Sequence, residues 1–213
     1  MTNLNSLYDA IIKGNLELAV STTRDALAEG TDPQMLLRDY MVPAMERVGW
    51  MFENCEAFVP ELLLAARAMK GSLNLIQPLF HGPASGTRGR VVIGTVQGDL
   101  HDIGKNIVAS MLEGSGFEVI NLGNDVAPQK FVDAINNHKP QIVAMSALLT
   151  TTMTAMEATI KAITDAGLRR SVKIMIGGAP LTQDYSDKIG SDGFSDNANG
   201  AVKVARALIG VTV

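Results

Sequence analysis

The chain has 213 residues, of which 46% are hydrophobic and 19% are charged, a composition typical of a folded globular protein and not of a disordered segment. Its formal net charge of −4 provides no general attraction for nucleic acid or for an anionic membrane surface, so we expect neither as a partner. The single cysteine, Cys55, excludes an intramolecular disulfide framework, and the sequence shows no secretory leader pattern or bilayer-length apolar run, so we expect a cytoplasmic protein.

Helical periodicity dominates the first part of the chain. Apolar residues recur at helical spacing over residues 4–79, and Gly14-Asn15 separates the first two helices. The periodicity predicts a third helix over Met35–Phe52 and a fourth that begins near Pro60. Four consecutive helices with short connections predict an antiparallel helical bundle within residues 1–86.

The hydrophobic pattern of the sequence changes after Phe80 to Arg90, a segment rich in glycine, proline and small residues. We interpret this segment as a linker. Short apolar runs then alternate with helical segments, a pattern typical of parallel β-α-β units. The runs predict strands at Val91–Val96, Phe117–Leu122, Ile142–Ala147, Lys173–Ile176 and Gly193–Ser195. Helices are predicted at 104–114, 128–138, 152–166 and 197–209. The second part of the chain is therefore predicted to be an α/β domain with a doubly wound parallel sheet of five strands.

The loop after the first predicted strand, Gly98 to Asn106, carries a histidine and a carboxylate close together. Asp99 stands two residues before His101. Ligand sites of open α/β sheets form at the carboxyl ends of the strands, and a neutral imidazole is a common metal ligand. We expect the Asp99 carboxylate to accept a hydrogen bond from one ring nitrogen and to leave the other free as a ligand. Taken alone, the pair also fits a structural or helix-capping role.

Two further groups follow predicted strands at the same edge of the sheet. Ser146, Leu148 and Thr150 come at and after the end of the third strand, and Gly177 and Gly178 follow the fourth. The hydroxyl groups could instead cap the next helix, and the glycine pair could form an ordinary turn. As ligand-binding residues, glycines without side chains would let the backbone approach a ligand closely.

Together these motifs resemble one family. The pattern Asp99-x-His101-x-x-Gly104, followed by Ser146-x-Leu148 and Gly177-Gly178, resembles the cobalamin-binding module shared by methionine synthase and the small corrinoid proteins of methyltransferase systems, including those for methylamines and methanol. The resemblance implies a Rossmann-like, flavodoxin-like cobalamin-binding domain over residues 90–213. It also implies that residues 1–86 form the four-helix bundle cap domain found in the methyl-transfer branch.

The resemblance implies how the cofactor would be held. Cobalamin, as methylcobalamin or cob(I)alamin, would bind with its own benzimidazole tail displaced, and His101 would be the lower axial ligand of the cobalt. Asp99 and Thr152 would complete a catalytic relay with His101, taking up a proton when the cobalt releases the imidazole. Thr152 stands where methionine synthase has a serine, so the hydroxyl is kept with an added methyl group.

The resemblance also implies a wider set of contacts with the cofactor. The expected cofactor-binding residues are Gly98, Asp99, His101, Asp102, Ile103, Gly104, Ser146, Leu148, Thr150, Gly177, Gly178, Phe194, Ser195 and Phe58. Phe58 belongs to the cap segment expected to shield the methyl-bearing face of the corrin from water. The family more often has tyrosine and alanine at positions 194 and 195, so this chain lacks that tyrosine hydroxyl.

The function implied is that of a methyl carrier. It would accept a methyl group from a substrate-specific methyltransferase and pass it to a second, corrinoid-dependent methyltransferase that uses tetrahydrofolate or a thiol, with a reductive reactivation protein as a further partner. The sequence has no zinc-ligand set and no barrel-sized substrate domain, which favours a carrier subunit that is not catalytic alone. The alternatives are a B12-dependent sensor module, an adenosylcobalamin mutase subunit and a flavodoxin-like domain that binds no cobalamin.

Overall fold

The structure is a computed structural model that describes residues 2–79 and 88–210, so most of the predicted linker lies outside the described residues. The chain divides into two compact units. One contains Met1–Arg88 and Ser110–Phe117, and the other contains Gly89–Ala109 and Glu118–Val213. Over the two described ranges, no helix combines the length and the apolar composition needed to cross a membrane.

The first unit is helical, as the periodicity predicts. Its elements are α1 (Asn5–Ile12), α2 (Leu16–Ala28), α3 (Pro33–Met35), a π-helical segment (Leu36–Met41), α4 (Val42–Glu53), α5 (Val59–Ile76) and a 3₁₀ turn (Gln77–Leu79). The apolar faces of these helices supply a core of fully buried side chains that includes Leu7, Ile11, Leu36, Met45, Leu62 and Met69. The third predicted helix therefore corresponds to the continuous helical run from α3 through α4, and the fourth corresponds to α5.

The π-helical segment has a local cause in the sequence. Pro43 has no backbone N–H and its ring would crowd the carbonyl of Asp39, four residues earlier. The helix widens by one residue just before this proline, since the Val42 N–H donates to the carbonyl of Leu37, five residues earlier. The wider turn lets the helical run continue to Glu53 despite the proline.

The second unit is an α/β domain, and the predicted fold class is confirmed. Its strands are β1 (Arg90–Thr95), β2 (Glu118–Asn121), β3 (Ile142–Ser146), β4 (Lys173–Gly177) and β5 (Gly193–Ser195). Its helices are α6 (Ile103–Gly114), whose residues from Ser110 onward are grouped with the first unit, α7 (Pro128–His138), α8 (Thr154–Asp165), α9 (Gln183–Ile189) and α10 (Ala198–Leu208). The five strands are all parallel and lie in the order β2-β1-β3-β4-β5, which is the flavodoxin-like order.

The strand order fixes where a ligand site can form. The chain passes from β1 to β2 on one side and then crosses to β3 on the other, so the carboxyl ends of β1 and β3 flank the topological switch point. Register places Thr95 opposite Ser146, and Ser146 opposite Gly177. Gly177 in turn pairs with Ser195. The loops that carry the predicted site residues therefore leave the sheet along one edge.

One helix was not predicted from the sequence. α9 has seven residues, of which only Ser186 is buried, and its apolar face consists of the partly buried Tyr185 and Ile189, which is too short to give a recognisable helical period in the sequence. Its ends define it instead: the Thr182 hydroxyl accepts a hydrogen bond from the Tyr185 N–H, and Gly190 ends the helix with a left-handed backbone.

The structure predicts a strong requirement for glycine at position 178. Gly178 has φ +141°, and a Cβ there would lie 1.9 Å from the carbonyl oxygen of Ala147, a backbone atom that cannot turn away. We expect Gly178→Ala to lower the free energy of unfolding of the cofactor-free protein by about 2–4 kcal/mol, measured by urea titration.

The matched control for this substitution is Gly167→Ala. Gly167 also has a positive φ, +73°, but a Cβ there would meet no atom within 4 Å. This variant isolates the backbone strain and should cost about 1 kcal/mol. Equal losses in the two variants would contradict the steric argument at Gly178.

Candidate functional site

The site is organised around the carboxylate of Asp99, which follows β1 and is fully buried. Its Oδ1 accepts a hydrogen bond from the His101 backbone N–H at 3.0 Å and lies 2.8 Å from Nδ1 of the His101 ring. Its Oδ2 accepts from the Leu148 N–H at 2.7 Å and from the Thr152 hydroxyl at 2.8 Å. One side chain thus joins the loop after β1 to the loop after β3.

These donors keep Asp99 ionised although it is buried. Burial by itself would raise the pKa of the carboxyl group, because a charge is poorly solvated inside the protein. The N–H groups of Leu148 and His101, the Thr152 hydroxyl and the His101 ring outweigh burial and hold the pKa of Asp99 well below its usual range. The site therefore contains a fixed negative charge at neutral pH.

The Asp99 carboxylate orients the His101 ring. An ionised carboxylate can only accept a hydrogen bond, so in the neutral ring the proton lies on Nδ1 and Nε2 carries the free lone pair. The His101 side chain is 52% exposed, and its backbone is held where its carbonyl accepts from the Thr95 hydroxyl at 3.1 Å. This arrangement leaves Nε2 of His101 free to bind a metal outside the protein core.

Thr152 lies in the turn before α8 and is buried. Its hydroxyl is placed between two acceptors, Oδ2 of Asp99 at 2.8 Å and the carbonyl of Leu149 at 2.9 Å. α8 begins at Thr154, two residues later than predicted, and no side chain caps its first turn. Thr152 therefore does not act as the N-cap of this helix, and its hydroxyl contacts the carboxylate.

The segment that follows β2, residues 122–125, was not predicted from the sequence as part of the candidate site. Asn124 donates from Nδ2 to the carbonyl of Leu100 at 3.1 Å, and the Asp125 carboxylate accepts from the Gly98 N–H at 2.7 Å. The Asp125 N–H also donates to the Asp99 carbonyl at 3.0 Å. The available signal was a polar run, Asn121-Leu-Gly-Asn-Asp, directly after a predicted strand at the same sheet edge.

The other predicted residues of the β3 and β4 loops lie at the same edge as Asp99. Ser146 ends β3, and its carbonyl accepts from the Val96 N–H at 3.0 Å, which links it to the chain leading into the Asp99 loop. Gly177 and Gly178 lie beside it, with the Gly177 carbonyl accepting from the Ala147 N–H at 3.3 Å. Thr150 is exposed in the loop between Leu148 and Thr152.

The two residues predicted on β5 are held within the fold. Phe194 is half-buried and packs against the apolar core of the sheet. The Ser195 hydroxyl donates to the Asn197 carbonyl at 2.7 Å, and it accepts from the Asn197 N–H at 3.3 Å. The serine side chain thus shapes the turn into α10.

Around His101 the loop exposes apolar side chains. Leu100 is 69% exposed and Ile103 is 78% exposed, and Leu148 is also exposed. Of the remaining predicted positions in this loop, Asp102 is half-buried and Gly104 is open, since a Cβ there would meet no atom within 4 Å. In the helical unit, Phe58 is exposed, and its N–H donates to the Glu61 carboxylate at 3.0 Å.

This donor set fits a metal that brings most of its own ligands. No group of three or more His, Cys, Asp or Glu side chains converges on a point anywhere in residues 2–79 and 88–210. His101 supplies one oriented nitrogen, a donor type suited to cobalt, and the exposed apolar side chains beside it suit a large planar ring. A cobalt held in a corrin ring has these properties.

Comparison with known proteins matches both units. Family models described as B12 binding domains match residues 89–203 and residues 4–77. Trimethylamine corrinoid protein 2 of Methanosarcina mazei is 44% identical over 205 residues, which is 95% of this chain and 94% of that protein.

Two solved structures are similar along almost the whole chain. A cobalamin-binding protein from Desulfitobacterium hafniense DCB-2 matches with a TM-score of 0.81 and 32% identity, covering 98% of this chain and 99% of that one. The methanol:cobalamin methyltransferase complex MtaBC from Methanosarcina barkeri matches with a TM-score of 0.84 and 29% identity, covering 99% of this chain and 80% of the matched one. The chain therefore belongs to the cobalamin-binding corrinoid proteins of methyltransferase systems.

Proposed function

We propose that this protein is a methyl carrier that binds cobalamin in the base-off form with His101 as the lower ligand. The observation that carries the proposal is the buried Asp99 carboxylate 2.8 Å from Nδ1 of an exposed His101 ring, because this pairing leaves Nε2 free as a donor. We propose that residues 90–213 are the cobalamin-binding domain and residues 1–86 the cap domain. The further contacts predicted above, including Phe58, stay part of this proposal.

When bound, cobalamin supplies a cobalt centre that can accept a methyl group and give it up. The residues of this chain would hold that centre and manage a proton. With Nε2 of His101 as ligand, Asp99 would fix the ring and keep the proton on Nδ1. When Nε2 is released, the Asp99 charge would favour its protonation. Thr152 would adjust how much of that charge the ring experiences, because its hydroxyl donates to the other carboxylate oxygen.

The proposal includes protein partners, because a carrier needs a donor and an acceptor enzyme. The similarity to a trimethylamine corrinoid protein favours a methylated amine as the source of the methyl group. The similarity to a corrinoid methyltransferase complex supports pairing with a substrate-specific methyltransferase. A second methyltransferase and a reductive reactivation protein complete the proposed set, in the cytoplasm and without nucleic acid or membrane.

The assignment of His101 as the lower ligand is tested by an ultraviolet-visible spectrum of the protein reconstituted with methylcobalamin. We expect the wild type to show a base-off, histidine-bound spectrum. His101→Ala removes the proposed ligand, so its spectrum should become that of base-off cobalamin without histidine.

His138→Ala is the matched control for the ligand test. His138 is an exposed histidine at the end of α7, and the group that it contributes to a hydrogen bond with Arg90 is its backbone carbonyl, which the substitution keeps. Its spectrum should match the wild type. Identical spectra for the wild type and His101→Ala, or binding by neither, would overturn the assignment.

The role of Thr152 is tested by the pH at which the bound histidine is released. Thr152→Val keeps the shape and removes the donor to Asp99, so more of the carboxylate charge acts on the ring and a proton competes better for Nε2. We expect the midpoint of the spectral transition to rise in Thr152→Val relative to the wild type. Thr152→Ser keeps the hydroxyl and should leave the midpoint unchanged. A shift in Thr152→Ser as large as in Thr152→Val would mean that packing matters, not the hydroxyl.

A further inference from the structure

Lys105 is a buried lysine close to the site that the proposed function does not use. It lies in the first turn of α6 and is only 3% exposed. Its Nζ donates to Oδ1 of Asn121 at 2.7 Å. Burial lowers the pKa of Lys105, while the charge of Asp102 acts in the opposite direction. Lysine is seldom buried to this extent, because its ammonium loses hydration, so the contact with Asn121 calls for an explanation.

Asn121 is a junction between three parts of the domain. It is the last residue of β2 and pairs with Ile93 of β1. Its Oδ1 accepts from Lys105 and from the Gly123 N–H at 3.0 Å, and its Nδ2 donates to Oδ1 of Asn106 at 3.1 Å. Because an ammonium and a backbone N–H can only donate, Lys105 and Gly123 both require the oxygen end of the amide. The lysine therefore helps to fix the orientation of Asn121.

The segment held by Asn121 in turn holds the loop that carries His101. Asp125, at φ +49°, has a left-handed backbone that a non-glycine residue keeps only where neighbouring contacts fix it, whereas Gly123, at φ +87°, adopts this conformation without strain. The side chains of Asn124 and Asp125 bond the backbone on either side of Asp99, at the Leu100 carbonyl and the Gly98 N–H. The Asp125 N–H bonds the Asp99 carbonyl itself. Residues 98–100 are therefore fastened from the β2 side, immediately before His101.

We propose that Lys105 is a positioning residue for the His101 loop, acting through Asn121 and the segment 122–125. By fixing the Asn121 amide, Lys105 holds the turn that bonds residues 98–100. It thereby keeps Nε2 of His101 in the position from which it can bind the cobalt. The link to cobalt rests on the proposed function, whereas the effect on the loop belongs to the protein without cofactor.

The first experiment is amide hydrogen exchange on the cofactor-free protein. Lys105→Met keeps a long, unbranched side chain and removes the donor. We expect exchange in residues 98–101 and 121–125 to accelerate by about tenfold or more. Lys130→Met, at an exposed position on α7, is the control and should exchange like the wild type. Unchanged protection of residues 98–101 in Lys105→Met would overturn the proposal.

A second variant covers the case in which Lys105→Met fails to fold. Asn124→Ala removes only the exposed contact from the segment to the Leu100 carbonyl. We expect faster amide hydrogen exchange in this variant too, limited to residues 98–101. Normal exchange there in a folded Asn124→Ala protein would show that the segment does not fasten the loop.

The second readout is the fraction of the protein that shows the histidine-bound spectrum with methylcobalamin at one fixed pH. If the loop is held less firmly, Nε2 of His101 reaches the cobalt less often, so this fraction should fall in Lys105→Met and stay unchanged in Lys130→Met. Faster exchange without a fall in this fraction would restrict Lys105 to stabilising the loop and would contradict its role toward His101. Absence of a histidine-bound spectrum in the wild type would refute the proposed function instead, and the exchange result would still decide the effect on the loop.

Discussion

The burial of one ionised carboxylate is the constraint on which the site depends. Asp99 has no exposure to water, and an unpaired charge in that position would be prohibitively unfavourable. It is accommodated because its oxygens receive hydrogen bonds from the backbone of Leu148 and from both the backbone and the ring of His101, with Thr152 as a further donor. The same contacts that solvate the charge therefore fix the loop after β3 against the histidine loop.

The sheet topology makes this convergence possible. β1 and β3 are separated in sequence by α6, β2 and α7, but they are neighbours in the sheet and their ends are in register at Thr95 and Ser146. The loops that follow them must therefore start side by side. β2 flanks β1 on its other side, which is why the segment 122–125 can bond the same loop from the opposite direction. The His101 loop is held between its two neighbours.

Polar groups of this kind carry an energetic cost that the apolar core of the domain has to offset. Asp99 and Lys105 are both buried, yet they are solvated differently, the first by several donors and the second by a contact with a neutral amide. Sequences selected for stability alone would not need either group. Their presence beside an exposed, oriented imidazole agrees with a site in which geometry matters more than maximal stability.

The sequence by itself determined the fold class and the strands, and it indicated the loop with Asp99 and His101 as the candidate site. Helical periodicity, the switch to short apolar runs and the two-residue spacing of Asp99 and His101 are local patterns, and each is confined to a short segment of chain. Tertiary structure alone decided the rest. The amides of Leu148 and Leu149 donate to a carboxylate about fifty residues away, a role that backbone groups of any sequence could fill. The pairing of β2 with β1 brings Asn121 and Asn124 next to this loop and gives Lys105 its acceptor, and α9 combines its end caps with only two apolar contacts, from Tyr185 and Ile189. Contacts of this kind depend on which strands are neighbours, and strand order is a property of the folded chain as a whole.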